Sequence, residues 1–309
     1  MANSQQLTRG PISRQLIFLS APLLAGNILQ QLYNTVDAVI VGRFVGESAF
    51  GAVGVSGSVM NLFLFLISGG CDGVGALLSQ FYGAEDGGSF RRGYYLAGLF
   101  GAGVSAALTG LGLLALLHTP DSVAAYAVDY LQIIFLGFPA AFAYHLSSGV
   151  LRAVGNTRAA LFFLALSMGV NLALDLIFVA GLELGVAGAA LATVLAQALA
   201  AGLCALYLRL RFPELMFHRA DMVMDRSLLR HTARFSFVTA LHMCNRKLLV
   251  QGTVNALGED AINAFTAATR VEGFANSFGD SGAAAVAVFV GQNTGAGECG
   301  RVRQGFRQG

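Results

Sequence analysis

Eight apolar stretches, each long enough to cross a bilayer as an α-helix, follow one another along this chain. A spanning helix needs roughly 20 mostly apolar residues. Charged residues make up 12% of the sequence, whereas a soluble domain carries about 25%. The sequence therefore predicts an all-α polytopic membrane protein with spans at 16–41, 52–79, 94–117, 127–150, 160–180, 185–208, 232–256 and 261–290.

Arginines mark one side of the predicted bundle. Fourteen of them lie before span 1, in the loops after spans 2, 4 and 6, and after span 8, whereas the other loops hold Arg43 alone. Basic loops stay on the cytoplasmic side of a membrane. This alternation predicts a multi-pass protein of the cytoplasmic (inner) membrane with a cytoplasmic N-terminus.

The loop at 209–231 is the longest and the most clearly polar. We predict that it is a cytoplasmic linker between an N-terminal unit at 1–208 and a second unit at 232–309. Its helical periodicity around 222–229 predicts a short amphipathic helix on the membrane surface.

An internal repeat relates these two units. The segments 80–93, QFYGAEDGGSFRRG, and 292–305, QNTGAGECGRVRQG, agree at six of fourteen positions with an offset of 212. The same offset pairs Gly46-Glu47 with Gly258-Glu259. Six spans separate equivalent points, and because six is even the two copies share one orientation, as in transporters built from parallel repeats.

The second copy contains two spans where the first unit contains six. The predicted fold is thus one complete six-helix bundle followed by the first two helices of a second bundle. We expect from this a chain truncated after the eighth span. The alternative is a natural eight-helix protein that a partner completes.

Asp37 lies in QQLYNTVDAVIVG, near the middle of span 1, and Asn34 precedes it by about one helical turn. An acid inside a membrane is costly and usually functional. Pro22 lies fifteen residues earlier and predicts a kink. Two interpretations stay open for Asp37 and for Asp175 of span 5. In the first, the acid takes part in the function of the protein. In the second, it is hydrogen-bonded to neighbouring helices and contributes only to packing. For Asp72, near the end of span 2, we favour a solvated structural role.

The segments that carry these residues resemble the multidrug and toxic-compound extrusion (MATE) transporters. The matching motifs are the proline-containing first span with QQLYNTVDAVIVG, GESAFGAVGVSG at span 2, SQFYGAEDGGSFRRG after it, LRAVGNTR after span 4 and NLALDLIF in span 5. The resemblance implies two six-helix bundles that face a central cavity. It also implies export of drugs or organic cations in exchange for H+ or Na+, by a monomer if the chain is full length.

The resemblance also implies a cation-coupling site. It assigns to this site Asp37, then Asn171 and Asp175 in NLALD, and Thr193 of span 6, while a position of span 4 that can be Asn in relatives is Ser148 here. Two carboxylates facing one cavity could share a proton, because burial or a like-charged neighbour raises a carboxyl pKa. Together with Asn34 they could instead hold Na+ through oxygen ligands.

Other classes of function find little support in the residues. The net charge of +2 does not indicate a nucleic-acid partner, and the chain contains no Walker A loop, no Ser-His-Asp arrangement and no His-Glu-x-x-His motif. We therefore expect no enzyme, no cofactor and no metal beyond possible Na+ at Asp37. Two rivals remain: a flippase for a lipid-linked precursor, against which the few arginines inside the spans argue, and a fragment that does not transport.

Overall fold

The protein is built from ten α-helices in the part of the chain that the computed structural model describes, residues 6–44, 47–117, 125–255 and 259–308. No strand occurs within these residues. The helices are α1 (Ile12–Phe44), α2 (Glu47–Gly83), α3 (Gly87–Leu117), α4 (Ala125–Leu136), α5 (Phe138–Ala153), α6 (Thr157–Asp175), α7 (Gly185–Arg211), α8 (Arg226–Asn255), α9 (Glu259–Gly295) and α10 (Cys299–Gln308).

Local sequence signals explain several helix ends. Span 4 is divided into α4 and α5 at Gly137, and Pro139 stands in the first turn of α5, where a missing N–H costs little. Asn156 caps α6 by accepting a hydrogen bond from the Ala159 N–H at 3.2 Å. Asp225 does the same for α8 by accepting from the N–H groups of the two residues after Arg226.

Six of the predicted spans are confirmed as helices long and apolar enough to cross a membrane, and they lie in α1, α2, α3, α4–α5, α6 and α7. Their outer faces expose large apolar side chains, for example Leu136 at 64% and Phe162 at 62%. Such a surface fits a lipid environment. Predicted spans 7 and 8 fall in α8 and α9, whose side chains at 242–255 and 259–271 lie outside the described residues.

The segment between α7 and α8 differs from the prediction. The helices run to Arg211 and from Arg226, so the non-helical connection covers 212–225, with 3-10 turns at Pro213–Leu215 and Arg219–Asp221. The separate surface helix predicted at 222–229 is wrong. Residues 226–229 form the first turn of α8, because Asp225 caps that helix and its apolar periodicity continues into the long span.

The internal repeat is confirmed by the helix boundaries. Both α2 and α9 have 37 residues, and they begin and end 212 positions apart, while α10 begins 212 residues after α3. The loops that follow α2 and α9 share five backbone hydrogen bonds at the same offset. Glu85 and Gly297, which are equivalent, both adopt a left-handed backbone, with φ of 56° and 76°.

The two copies touch each other at these loops through a reciprocal contact. A Cβ atom on Gly83 would overlap the backbone of Gln292, and a Cβ atom on Gly295 would overlap the backbone of Gln80. Gln80 and Gln292 are themselves equivalent in the repeat. This exchange is what a two-fold axis between the copies produces, and it supports the parallel repeat.

The arginine-bearing segments meet at one end of the bundle. Gln6 approaches Glu85 of the α2–α3 loop, with Nε2 and Oε1 3.4 Å apart. Arg91 at the start of α3 pairs with Asp221 of the α7–α8 connection. The end of α5 accepts a hydrogen bond from Gln292. We call this side the basic end; its members are residues 6–11, 84–86, 154–156, 212–225 and 296–308.

Candidate functional site

A line of polar side chains runs along the seam between α6 and α7. Ser167 Oγ donates to the Ala196 carbonyl oxygen at 3.2 Å, and one turn later Asn171 Nδ2 donates to Thr193 Oγ1 at 3.3 Å. Thr193 Oγ1 in turn donates to the Ala189 carbonyl oxygen at 3.0 Å. Because the helices are antiparallel, each turn towards the end of α6 meets an earlier turn of α7.

Asp175 continues this line. It follows Asn171 by four residues, so the two side chains lie on one face of α6, and both are buried, at 1% and 3% exposed. Asn171 Oδ1 is buried and accepts no hydrogen bond from the described residues. An oxygen in that condition is suited to a cation, because hard cations bind amide and carboxylate oxygens.

A π-helical turn, Leu176–Gly181, begins directly after Asp175. Such turns are rare and occur frequently at functional sites. Gly188 of α7 lets this turn approach closely, since a Cβ atom there would lie 3.1 Å from the Phe178 Cβ atom. Asp175 is eighteen residues from the start of α6, which corresponds to about 27 Å of helix. It therefore lies towards the end of the bundle opposite the basic end.

The first helix runs beside α6 in the same direction. The Arg158 guanidinium carbon lies 4.1 Å from the centroid of the Phe18 ring. Further along, a Cβ atom on Gly26 would lie 3.2 Å from a Leu164 methyl carbon. Eleven residues beyond this contact, α1 reaches position 37 and α6 reaches position 175. The backbone of α1 also packs against the π-helical turn and α7.

The predicted site residues thus divide into two groups. Asn171, Asp175 and Thr193 are brought together at the α6–α7 seam. The side chains of Asn34 and Asp37 lie outside the described residues, although the helix α1 is continuous through both positions. Pro22 lies inside α1 as predicted, and the kink assigned to it stays a prediction.

Asp72 forms an ion pair in which its Oδ1 lies 2.6 Å from Nη2 of Arg152 at the end of α5. The side chains are 37% and 23% exposed, and the solvated structural role expected for Asp72 stays a prediction. Ser148, the position left open in span 4, is 4% exposed and lies on the same helix as Arg152.

Two features of the structure, one at this site and one at the basic end, were not predicted from the sequence. The π-helical turn after Asp175 carries no distinctive residue pattern. The second feature is a set of side chains that binds the N-terminal segment, formed by Gln292, Asn293 and Arg301. The sequence indicated these residues only as part of the repeated motif. The hydrogen bonds of this set to that segment join residues almost three hundred positions apart, and local periodicity gives no signal for such partners.

Comparison with known proteins identifies similar chains. The MatE family model matches residues 22–177, just over half of the chain. The probable multidrug resistance protein YoeA of Bacillus subtilis is 30% identical over 325 aligned positions, covering 99% of this chain and 70% of its own. The probable multidrug resistance protein YpnP of the same organism is 29% identical, covering 96% of this chain and 68% of its own.

Solved structures share the fold. A multidrug resistance MATE family transporter of the MOP superfamily, in an outward-facing conformation, superposes with a TM-score of 0.92 and 23% identity. A MOP superfamily transporter from Pyrococcus furiosus superposes with a TM-score of 0.91 and 23% identity. Each alignment covers 100% of this chain and 70% of the other.

Proposed function

This chain belongs to the MatE family, and from that premise we propose that it is a secondary active antiporter that exports drugs or organic cations in exchange for H+ or Na+. The family consists of membrane transporters, which confirms the predicted class of a polytopic transporter rather than an enzyme. Relatives named as multidrug resistance proteins support drugs as the substrate class.

One observation carries the coupling part of this proposal: the buried polar line on α6 and α7 that ends at Asp175. We propose that Asp37 completes it. Support comes from the shared direction of α1 and α6, because the register of the Gly26–Leu164 contact brings position 37 to the level of position 175. The coupling ion would then bind among oxygens of Asp37, Asp175, Asn171, Thr193 and Asn34.

Export and the coupling ion can be tested together in cells that lack their own drug pumps. Efflux of a fluorescent organic cation is measured while the proton gradient or the Na+ gradient is collapsed separately. Loss of efflux with one gradient and not the other identifies the coupling ion. Efflux no faster than in cells with an empty vector would contradict the proposed export.

The site is tested by Asp37→Asn and Asp175→Asn, each of which keeps the side-chain shape and removes the charge. We expect both to reduce coupled efflux to background. Asp129→Asn is the matched control, because Asp129 is an exposed acid of α4, and it should export normally. Equal amounts of protein in the membrane are verified first. Full efflux by Asp37→Asn would refute the role of that carboxylate.

We further propose that the basic end faces the cytoplasm, in accordance with the positive-inside rule. Cys299 offers a native probe, because it is exposed at the start of α10. A membrane-impermeant maleimide should label Cys299 in inside-out vesicles and not in intact cells. Loss of the label in Cys299→Ser shows that the labelled thiol is that of Cys299. Labelling in intact cells would place the basic end outside.

A further inference from the structure

The N-terminal strap, residues 6–10, lies across the end of the second copy. Leu7 is fully buried, and both of its backbone groups are bonded to that copy. Its N–H donates to Gln292 Oε1 at 3.0 Å, and its carbonyl oxygen accepts from Asn293 Nδ2 at 3.2 Å and Arg301 Nη2 at 3.0 Å. The Leu7 side chain packs in one cluster with Phe289.

Arg301 is the centre of this contact. Its guanidinium donates to Asn293 Oδ1 at 3.0 Å, to the Gly10 carbonyl oxygen at 2.9 Å and to Gln15 Oε1 at 3.0 Å, besides Leu7. A guanidinium has five N–H donors in a fixed fork, so one arginine can hold several acceptors at once. All four of these acceptors are uncharged.

Gln292 connects the strap to a third element. It is 1% exposed, and its Nε2 donates to the Ala153 carbonyl oxygen at the end of α5 at 2.9 Å. The contact therefore joins the start of α1 and the end of α5, both in the first unit, to the end of α9 in the second. We name Gln292, Asn293 and Arg301 the clasp.

The connection 212–225, which precedes α8, forms a second strap with the equivalent place in the other copy. The residues before α8 lie on α3, where Arg91 Nε is 3.0 Å from Asp221 Oδ2 and Arg91 Nη1 donates to the Glu214 carbonyl oxygen. The Phe217 ring packs against the Tyr94 ring at 5.5 Å. Each copy thus extends the segment before its first helix onto the other copy.

We propose that the clasp holds the basic ends of the two copies together and has to release the N-terminal strap whenever that side of the protein opens. The inference rests on the proposed transport function, since an exporter must admit its substrate from that side. Separation of α2 from α9 would carry Leu7 away from the clasp. Gln292 and Asn293, which are almost fully buried, would then lose partners, and this cost stabilises the closed state.

The first test measures opening without measuring transport. Ser79 is fully buried where α2 meets Gly291 of α9, so a Ser79→Cys thiol in a chain with its four native cysteines replaced by alanine reports separation. Arg301→Ala should raise its rate of maleimide labelling about tenfold, the effect of losing a hydrogen bond to a charged group. Arg303→Ala, a change at an exposed arginine on the same helix, is the matched control.

Equal labelling rates in Arg301→Ala and Arg303→Ala would overturn the proposal.

The second test leaves the clasp intact, so it does not depend on the folding of Arg301→Ala. Ser13 Oγ of α1 lies 2.9 Å from Gln308 Oε1 of α10, and both residues are exposed. In Ser13→Cys/Gln308→Cys, a short reducible thiol cross-linker should stop export, and reduction should restore it.

Undiminished export by the cross-linked protein would also overturn the proposal. Failure of the proposed function is distinguishable from this outcome. If the chain without a cross-link shows no export, the transport proposal fails, whereas the Ser79→Cys labelling rates still decide whether the clasp controls separation of the two copies.

Discussion

The first copy, α1 to α3, and the second copy, α8 to α10, share a backbone and differ in the side chains that act on it. Their loops repeat the same hydrogen bonds, and their long second helices have equal length. Yet Phe81 and Ser89 of the first copy correspond to Asn293 and Arg301 of the second. The fold constrains the backbone in both copies, and the polar chemistry is particular to each.

The same lesson applies inside the membrane. At the offset of the repeat, Leu249 stands where Asp37 stands, and Ala284 stands where Asp72 stands. The first copy carries acids that the second copy lacks, so the fold alone does not demand them. Comparing equivalent positions therefore separates residues that the repeated backbone requires from residues that are particular to one copy, such as the ion-paired Asp72 and the proposed coupling residue Asp37.

The largest expected effect concerns the reciprocal glycines. In Gly83→Ala and Gly295→Ala the new methyl group would overlap the opposite backbone, and we expect each change to destabilise the protein by about 3 kcal/mol, near the upper range for overpacking. Thermal unfolding in detergent measures this. Gly300→Ala on α10, with open space around it, should cause no loss. Unequal effects of the first two changes would break the symmetry of the contact.

The ion pair between Asp72 and Arg152 should show the next largest effect. Asp72→Ala gives the first copy the residue type of the second, and it leaves Arg152 without its carboxylate. We expect a loss of about 2 kcal/mol, less than for a fully buried pair because both side chains are partly exposed. In thermal unfolding, Asp72→Ala/Arg152→Ala should cost less than the sum of the single changes. Additive losses would show that the pair contributes no coupling energy.

The two straps should differ in their response to acid. The His218 N–H and then the Arg91 guanidinium lower the pKa of Asp221 from its ordinary value of 3.8. A lowered carboxyl pKa contributes stability that is present above the ordinary pKa and is lost as the pH falls through the folded-state pKa. Arg301 binds uncharged acceptors, so its contact should not follow this titration.

Limited proteolysis in the connection 212–225, compared with the N-terminal strap between pH 6 and pH 3, checks this difference. Cleavage of the connection should increase as the pH approaches 3, and Asp221→Asn should be cleaved readily at every pH. Parallel increases at both straps would indicate general acid unfolding instead. The expected contribution is about 1 kcal/mol, typical of a pair that is partly exposed to water.

The smallest effect is expected at the left-handed residues of the two loops. Gly297→Glu gives the second loop the residue of the first, and it should lower stability by about 1 kcal/mol, because a side chain is strained at positive φ. Glu85→Gly should change stability by less, since relief of strain is opposed by a more flexible unfolded chain. Unfolding temperatures of the two variants measure both effects. A larger loss in Glu85→Gly than in Gly297→Glu would show that the contact of Glu85 with Gln6 outweighs backbone strain.

Much of the fold follows from patterns that act locally. Apolar length predicts the spans, and arginine placement predicts which loops share an end. Identical residues at an offset of 212 positions, around Gln80 and Gln292, predict the second copy. The amphipathic periodicity at 222–229 predicted a separate surface helix, and this was wrong because the same pattern begins a long helix when Asp225 caps it. Of the candidate site, Asp175 follows from the cost of an acid inside a span, whereas Asn171 and Thr193 were assigned only through the resemblance to MATE transporters. The π-helical turn and the clasp depend on contacts between distant segments, which one sequence does not display.

Ser79 and Gly291 are equivalent residues that touch each other, which places their contact on the axis relating the two copies. In a symmetric dimer of two identical half-length chains, the same residue would occupy both sides of such an axis. Two serines there would collide, and two glycines would leave a gap. A single chain that contains both copies has two separate codons for this one place. It can set a serine against a glycine, a solution that no pair of identical subunits can reach.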